Sequence, residues 1–127
     1  MQHAPKIAAG LLGLLFVVFG LNFFLNFIPI PSPPEGSPPA MFMGAMYVTG
    51  YLAFIKVLEI AGGLLVAIPK TRNIGLLVLG PIIVNILAFH VFFTKGAGLA
   101  DPVVILIALL SAFLLWSSRK SFSGLLN

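Results

Sequence analysis

The residues of this sequence that could take part in chemistry stand inside apolar segments. Lys56 and Glu59 are three positions apart, and His90 follows in a later segment. Asparagines at positions 22, 26 and 85 are the other polar side chains at comparable places. A carboxylate and an imidazole can exchange protons with a bound molecule, and carboxamides can orient it. The candidate ligand-binding residues are Lys56, Glu59, Asn85, His90 and Asn22.

Each candidate also has a purely structural interpretation. Lys56 and Glu59 can form an ion pair on one face of a helix, since residues three apart are neighbours there. A single histidine such as His90 is more often a packing residue than a ligand. Asparagines commonly form hydrogen bonds between membrane helices. Ionisable groups in apolar helices are nevertheless costly and usually face a cavity or a partner, so a binding role stays open.

Several kinds of site are excluded or disfavoured by the residue inventory. The sequence has no cysteine, which excludes disulfides and thiolate metal ligation by these 127 residues. One histidine with one glutamate is too small a set for zinc, and no phosphate-binding glycine motif follows a strand. We therefore predict no catalytic residue, no metal and no intrinsic cofactor. The net charge of +4 forms no basic stripe for nucleic acid.

The composition indicates a membrane protein. Hydrophobic residues make up 60% of the chain and charged residues 8%, whereas soluble domains are roughly a quarter charged. A soluble domain of this size could not bury so much apolar surface. The composition therefore excludes a soluble enzyme, and it excludes intrinsic disorder as well.

The elements that must position the polar residues are predicted to be four membrane-spanning helices. About 20 apolar residues cross a bilayer as a helix, at ~1.5 Å per residue. The predicted spans are residues 7–28, 51–68, 73–94 and 101–117. A signal peptide is the competing interpretation of the first span, but that segment is too long and a proline-rich loop follows it.

The residues between the predicted spans, many of them proline or glycine, predict one further element. Six prolines between residues 29 and 39 indicate a stiff, extended loop. Thr49-Gly50 suggests a break that leaves a short interfacial helix at residues 41–49; one long, tilted helix is the alternative. Asp101-Pro102 is typical of a helix start. The predicted fold is all-α, an integral membrane four-helix bundle with an extra short interfacial helix after the Pro-rich first loop.

The basic residues predict an orientation. The side with more lysine and arginine normally faces the cytoplasm. Both termini are then expected to be cytoplasmic. In this topology the three asparagines, Lys56, Glu59 and His90 all lie within roughly 15 Å of the external surface, which predicts a polar pocket in the outer half. The residues expected inside are Lys6, Lys70, Arg72, Arg119 and Lys120, and Lys95 is expected outside.

Glycines predict where the helices approach one another. Small residues on one helical face let membrane helices pack closely. In the first span the glycines share a face that is roughly opposite to Asn22 and Asn26. The asparagine face would then contact a second neighbour, either the short helix or another subunit. The predicted helix-packing residues are Gly10, Gly13, Gly20, Gly62 and Gly63.

Three segments together resemble the DoxX family of small bacterial membrane proteins. They are Gly20-Leu-Asn-Phe-Phe24, Lys56-Val-Leu-Glu59-Ile-Ala-Gly-Gly63-Leu-Leu, and Pro81-Ile-Ile-Val-Asn85-Ile with Phe89-His90. The resemblance extends over nearly the whole chain and implies a four-helix membrane bundle associated with redox functions. Some members of that family are subunits of a thiosulfate:quinone oxidoreductase. Thiol chemistry is not carried over, because this chain has no cysteine.

Together with the polar pocket, this resemblance implies an accessory subunit of a redox-associated complex in the bacterial inner membrane, whose outer pocket binds a lipophilic ligand such as a quinone. Glu59 and His90 would form hydrogen bonds to the head group of the ligand, and Lys56 would tune the proton affinity of Glu59. Asn85 and Asn22 would orient the ligand. Its apolar walls would be Phe89, Phe92 and Phe93. The expected partners are the lipid bilayer and a membrane protein or a second copy, with no nucleic acid. The alternative is a structural or assembly protein without ligand or turnover. A transporter is disfavoured because the inner half has no polar path.

Overall fold

The computed structural model describes residues 3–126, and within this range the chain is helical and has no β-strand. Three short 3-10 turns, Pro69–Thr71, Ala97–Ala100 and Gly124–Leu126, join or extend the helices. The predicted all-helical class is confirmed. The α-helices are α1 (His3–Leu25), α2 (Pro38–Val48), α3 (Tyr51–Ala67), α4 (Arg72–Phe92), α5 (Pro102–Ser117) and α6 (Arg119–Ser123).

Two stretches of the described chain are long and apolar enough to cross a membrane. They are α1 and the continuous helical stretch Pro69–Phe92, which contains α4. Helices α2 and α3 satisfy the same criterion together, although they are bent by 85° at their junction, so the number rises to three if they form one span. Helix α5 is apolar but has 16 residues. Its length of ~24 Å is less than the ~30 Å of a bilayer core.

Helix α1 ends at Leu25, three residues before the end of the predicted 7–28 span. The Asn22 carboxamide accepts a hydrogen bond from the Ile28 N–H at 2.6 Å and donates one to the Ile28 carbonyl at 3.0 Å. Asn26 has a φ of +53°, in the left-handed region that asparagine tolerates at helix ends. The apolar run continues past the end of α1, and a prediction from hydrophobicity alone therefore placed that end three residues too late.

A sharp corner separates α2 from α3. Gly50 takes a φ of +81°, and the Thr49 hydroxyl donates to the Ala45 carbonyl at 2.8 Å. The break predicted at Thr49-Gly50 is therefore present, and residues 41–68 form two helices. Helix α2 begins at Pro38 instead of residue 41, because Ser37 caps it and a proline fits the first helical turn.

The connection from α4 to α5 is built from local hydrogen bonds. Helix α4 ends at Phe92, two residues short of the predicted 73–94 span, and Lys95 and Gly96 follow with positive φ. The Gly96 N–H donates to the His90 carbonyl at 2.8 Å. The Asp101 carboxylate accepts from the Val103 N–H at 2.8 Å, which confirms the predicted helix start.

The four longest helices contact one another in a cycle: α1 packs on α3 and α5, and α4 packs on α3 and α5. The core lies between them and includes the fully buried Leu12, Val66, Leu79 and Leu114. Outward-facing side chains in the middle of these helices, such as Leu14, Val84 and Leu109, are apolar and more than half exposed. Helices that are apolar all round are typical of a membrane environment.

Glycines create the closest helix contacts. A methyl group added to Gly13 of α1 would lie 2.5 Å from the Gly63 carbonyl oxygen of α3. One added to Gly75 of α4 would lie 2.5 Å from the Val66 nitrogen of α3. Side chains at these positions would push the helices apart. Gly75 is a contact that the sequence analysis missed.

The other predicted packing glycines divide into two groups. Gly20 lies against Ile60 of α3, and Gly62 lies against Leu79 of α4. Gly10, by contrast, is exposed and has nothing within 4 Å of where its side chain would be. The structure therefore contradicts the predicted packing role of Gly10 within this chain, because no other helix approaches it.

Candidate functional site

A groove of about 760 Å³ lies at the end of the molecule where α1 ends and α3 begins. Residues from each of the helices α1 to α5 line it, and most of them are apolar. Four of the five predicted ligand-binding residues are among the lining residues: Lys56, Glu59, Asn85 and His90. The fold therefore brings residues of α3 and α4, far apart in sequence, to one surface.

The charged part of the groove is an ion pair on α3. Lys56 Nζ lies 3.3 Å from Glu59 Oε1, with side chains that are 22% and 7% exposed. The pairing uses the i,i+3 spacing of one helical face. Because the removal of charges from water is costly, each charge depends on the other to offset its desolvation. The ion pair proposed as the structural interpretation is thus formed, and it lies within the groove.

His90 lies at the far end of α4, and its two ring nitrogens have different surroundings. Nδ1 is buried and has no hydrogen-bond partner among the described residues. The ring packs edge-on to Phe89, with centroids 5.2 Å apart. Its backbone carbonyl accepts from the Thr94 hydroxyl at 2.5 Å, and the same hydroxyl accepts from the Gly98 N–H at 3.0 Å. The α4–α5 loop is thereby folded over His90.

Asn85 borders the groove on α4 without joining two helices. Its side chain is exposed, and Nδ2 donates to the Pro81 carbonyl of the same helix at 2.8 Å. The structural role expected for an asparagine, a hydrogen bond between two helices, is therefore not what Asn85 shows, because its bond lies within α4. Pro81 itself is accommodated inside α4, which continues without a break in helical structure.

Asn22 is separate from the groove. It is 4% exposed, and both atoms of its carboxamide are engaged by the Ile28 backbone. It is not among the residues that line the groove. The geometry therefore contradicts a ligand-orienting role for Asn22 and supports a capping role. Asn26, predicted to share its face, is exposed and closes the helix through its positive φ.

An aromatic cluster forms one wall of the groove. Phe89 of α4 and Phe93, the residue just after that helix, stack with centroids 5.3 Å apart, and the ring centroid of Phe42 of α2 lies 4.7 Å from that of Phe93. Phe92 also lines the groove but is largely exposed. The phenylalanines of α4 were expected to form apolar walls, whereas Phe42 was not named. The available signal was an aromatic residue in the short helix that follows the proline-rich loop; Tyr47 is the other aromatic residue of that helix.

The lining combines a long apolar wall with a few polar groups. This composition suits an amphiphile whose polar head meets the Lys56–Glu59 pair and His90 and whose apolar part lies along the phenylalanines. Within residues 3–126, no group of three or more His, Cys, Asp or Glu residues is arranged to hold a metal ion. The groove offers hydrogen-bond donors and acceptors from Lys56, Glu59, Asn85 and His90.

The sequence is similar to that of a known bacterial protein. Over 84 residues, which are 66% of this chain, the sequence is 33% identical to an uncharacterized protein, YwoB, of Bacillus subtilis (strain 168). The chain spans about half the length of that relative, 51%. No protein-family model matches the chain, and no solved structure matches it. The resemblance to the DoxX family therefore stays a prediction.

Proposed function

We propose that this chain is an integral membrane protein of DoxX-like architecture, in which α1, α3, α4 and α5 form a four-helix bundle and α2 lies at the interface. The proposal is supported by the apolar, outward-facing side chains of all four helices. In the bacterial inner membrane, the end that carries Lys70, Arg72 and Arg119 faces the cytoplasm, and so do both termini. The groove then lies in the outer half.

The groove binds a lipophilic molecule with a small polar head, and a quinone fits this description. The observation that carries this proposal is the convergence of Lys56, Glu59, Asn85 and His90 on one mostly apolar groove of about 760 Å³. Polar groups in a membrane helix are costly, so their convergence favours a bound partner. The chain acts as an accessory subunit that holds the molecule for a redox-associated membrane complex, with a partner protein or a second copy beside it.

Replacement of Glu59 by glutamine tests this function. Purify the wild type and Glu59→Gln gently from native membranes, and identify the co-purifying lipids and quinones by mass spectrometry. The expected result is that the variant still folds, although with a lower thermal stability because Lys56 loses its charged partner, and that it retains about tenfold less of the bound molecule, because one charge-assisted hydrogen bond is weakened. Gly80→Ala serves as the control, since Gly80 faces open space. A wild-type protein that carries nothing above detergent background would contradict the function.

A structural role is the second candidate, and the Lys56–Glu59 pair favours it. At 3.3 Å the two charges already satisfy each other without a ligand. In this case the chain stabilises a membrane assembly and has no turnover of its own. Glu59→Gln would then lower the thermal stability or the yield of the assembly and leave lipid composition unchanged. The same variant thus separates the two functions.

A further inference from the structure

The surroundings of His90 determine which of its nitrogens can meet a bound molecule. Nδ1 is buried without a partner, on the side where the backbone of Gly98 approaches the ring. A methyl group at Gly98 would overlap Nδ1 itself. His90 nevertheless lines the groove. Nε2 is therefore the nitrogen that remains available to a ligand.

The position of the imidazole proton follows from this asymmetry. A neutral imidazole carries its proton on one nitrogen and offers a lone pair on the other. A proton on Nδ1 would be a buried N–H without an acceptor, which is costly, whereas a lone pair there can rest against the Gly98 Cα–H. The neutral ring therefore holds its proton on Nε2. It offers the groove a donor.

The loop that carries Gly98 is held against the ring. The Thr94 hydroxyl joins the His90 carbonyl to the Gly98 N–H, and the Asp101 N–H donates to the Gly98 carbonyl at 3.1 Å. Phe89 packs edge-on to the ring. A side chain that is fixed in this manner is pre-organised for a directional hydrogen bond.

We infer that His90 is the fixed hydrogen-bond donor of the groove, positioned by the absence of a side chain at Gly98, and that the ligand meets Nε2–H with an acceptor oxygen such as a ring carbonyl. This inference rests on the proposed function and deepens it by naming the ligand chemistry at one end of the groove. Gly98 acts as a positioning residue, because it has no polar side chain and acts only through His90.

The first test locates the proton without any ligand. Record nitrogen-15 spectra of histidine-labelled protein in lipid nanodiscs, in a His3→Gln background so that His90 gives the only ring signals. The neutral ring should be protonated on Nε2. Gly98→Ala should shift both ring signals, because the added methyl displaces the imidazole, while Gly80→Ala should leave them unchanged. A proton on Nδ1, or identical spectra for Gly98→Ala and wild type, would overturn the inference.

The second test uses two probes that differ in their acceptor oxygens. A benzoquinone with a decyl chain should bind about tenfold more weakly to Gly98→Ala, which corresponds to the loss of one hydrogen bond, while decylbenzene should bind both proteins equally. His90→Phe keeps a planar ring without the donor and should give the same pattern if Gly98→Ala does not fold. Equal losses of binding affinity for both probes, or no loss of affinity for the quinone, would overturn the inference but would still be consistent with a groove that binds lipophilic molecules. If neither probe binds to the wild type, the proposed function and the ligand contact both fail, and the spectra alone decide the proton position.

Discussion

Asn22 and Asn85 carry the same side chain, yet the tertiary structure gives them different roles. Asn22 is buried and satisfies both the N–H and the carbonyl of Ile28, which lie beyond the helix end. Asn85 is exposed at the groove and makes one bond, within its own helix. A carboxamide that replaces a missing helical bond contributes to folding, whereas one beside a cavity is available to a ligand.

Alanine at each asparagine should separate these roles. Asn22→Ala leaves two backbone groups of Ile28 without partners and should lower the free energy of unfolding by about 1–2 kcal/mol. Asn85→Ala should change it by less than about 0.5 kcal/mol, because a single exposed bond is lost. Reversible unfolding in detergent, followed by circular dichroism, measures both. Equal effects would contradict the assignment of Asn22 as a cap.

At the scale of elements, glycines set how closely the helices approach. Gly13 and Gly63 bring α1 against α3, and Gly62 and Gly75 bring α3 against α4. These contacts lie toward the end opposite the groove. Large groove residues, including Phe89 and Phe93, are found at the other end. Close packing at one end together with bulky side chains at the other leaves space for the groove.

Two glycines of α4 provide a matched test of this packing. Gly75→Ala would place a methyl group 2.5 Å from the Val66 nitrogen and should destabilise the fold by about 1–3 kcal/mol, since neither backbone can yield easily. Gly80→Ala meets nothing within 4 Å and should be neutral or stabilising by up to about 1 kcal/mol, because alanine favours helix. Thermal unfolding of both variants in one detergent gives the comparison. Similar melting temperatures would show that α3 and α4 do not depend on this contact.

At the scale of the whole molecule, charge separates the two ends. Ala4 and Pro5, at the start of α1, line a small cavity together with Trp116 and Arg119 at the end of α5. Arg119 stacks over the Trp116 ring at 4.3 Å, an arrangement suited to a membrane interface. Arg72, the first residue of α4, lies at this same end and donates to the Val66 carbonyl. The opposite end holds the groove and the proline-rich loop.

Single cysteines test the proposed orientation, and the cysteine-free sequence makes the labelling unambiguous. Ser32 and Ser121 are both exposed, at the groove end and at the basic end respectively. In intact cells, a membrane-impermeant maleimide should label Ser32→Cys and should label Ser121→Cys only after permeabilisation. This result is expected if the basic end faces the cytoplasm, as proposed from the distribution of lysine and arginine. The opposite pattern would reverse the topology and place the groove in the inner half.

Local chemistry in the sequence was sufficient to predict the helical class and several boundaries. Apolar runs predicted helices at the positions of α1, α3, α4 and α5, and Gly50 and Asp101 marked a corner and a helix start because backbone conformation and capping depend on neighbouring residues. The cap formed by Asn22 was missed because its partner, Ile28, lies beyond the helical spacing. Hydrophobicity carried no information on where α1 would stop.

The sequence by itself determined which side chains would be costly in an apolar environment, because burial cost follows from residue type: Lys56, Glu59, Asn85 and His90. Only the tertiary structure decided that these four share a groove, that Asn22 does not, and that Gly98 covers His90. The physical reason is that such juxtapositions depend on the register and rotation of packed helices. Those are set by many contacts at once, such as Gly75 against Val66, and no spacing along one segment encodes them.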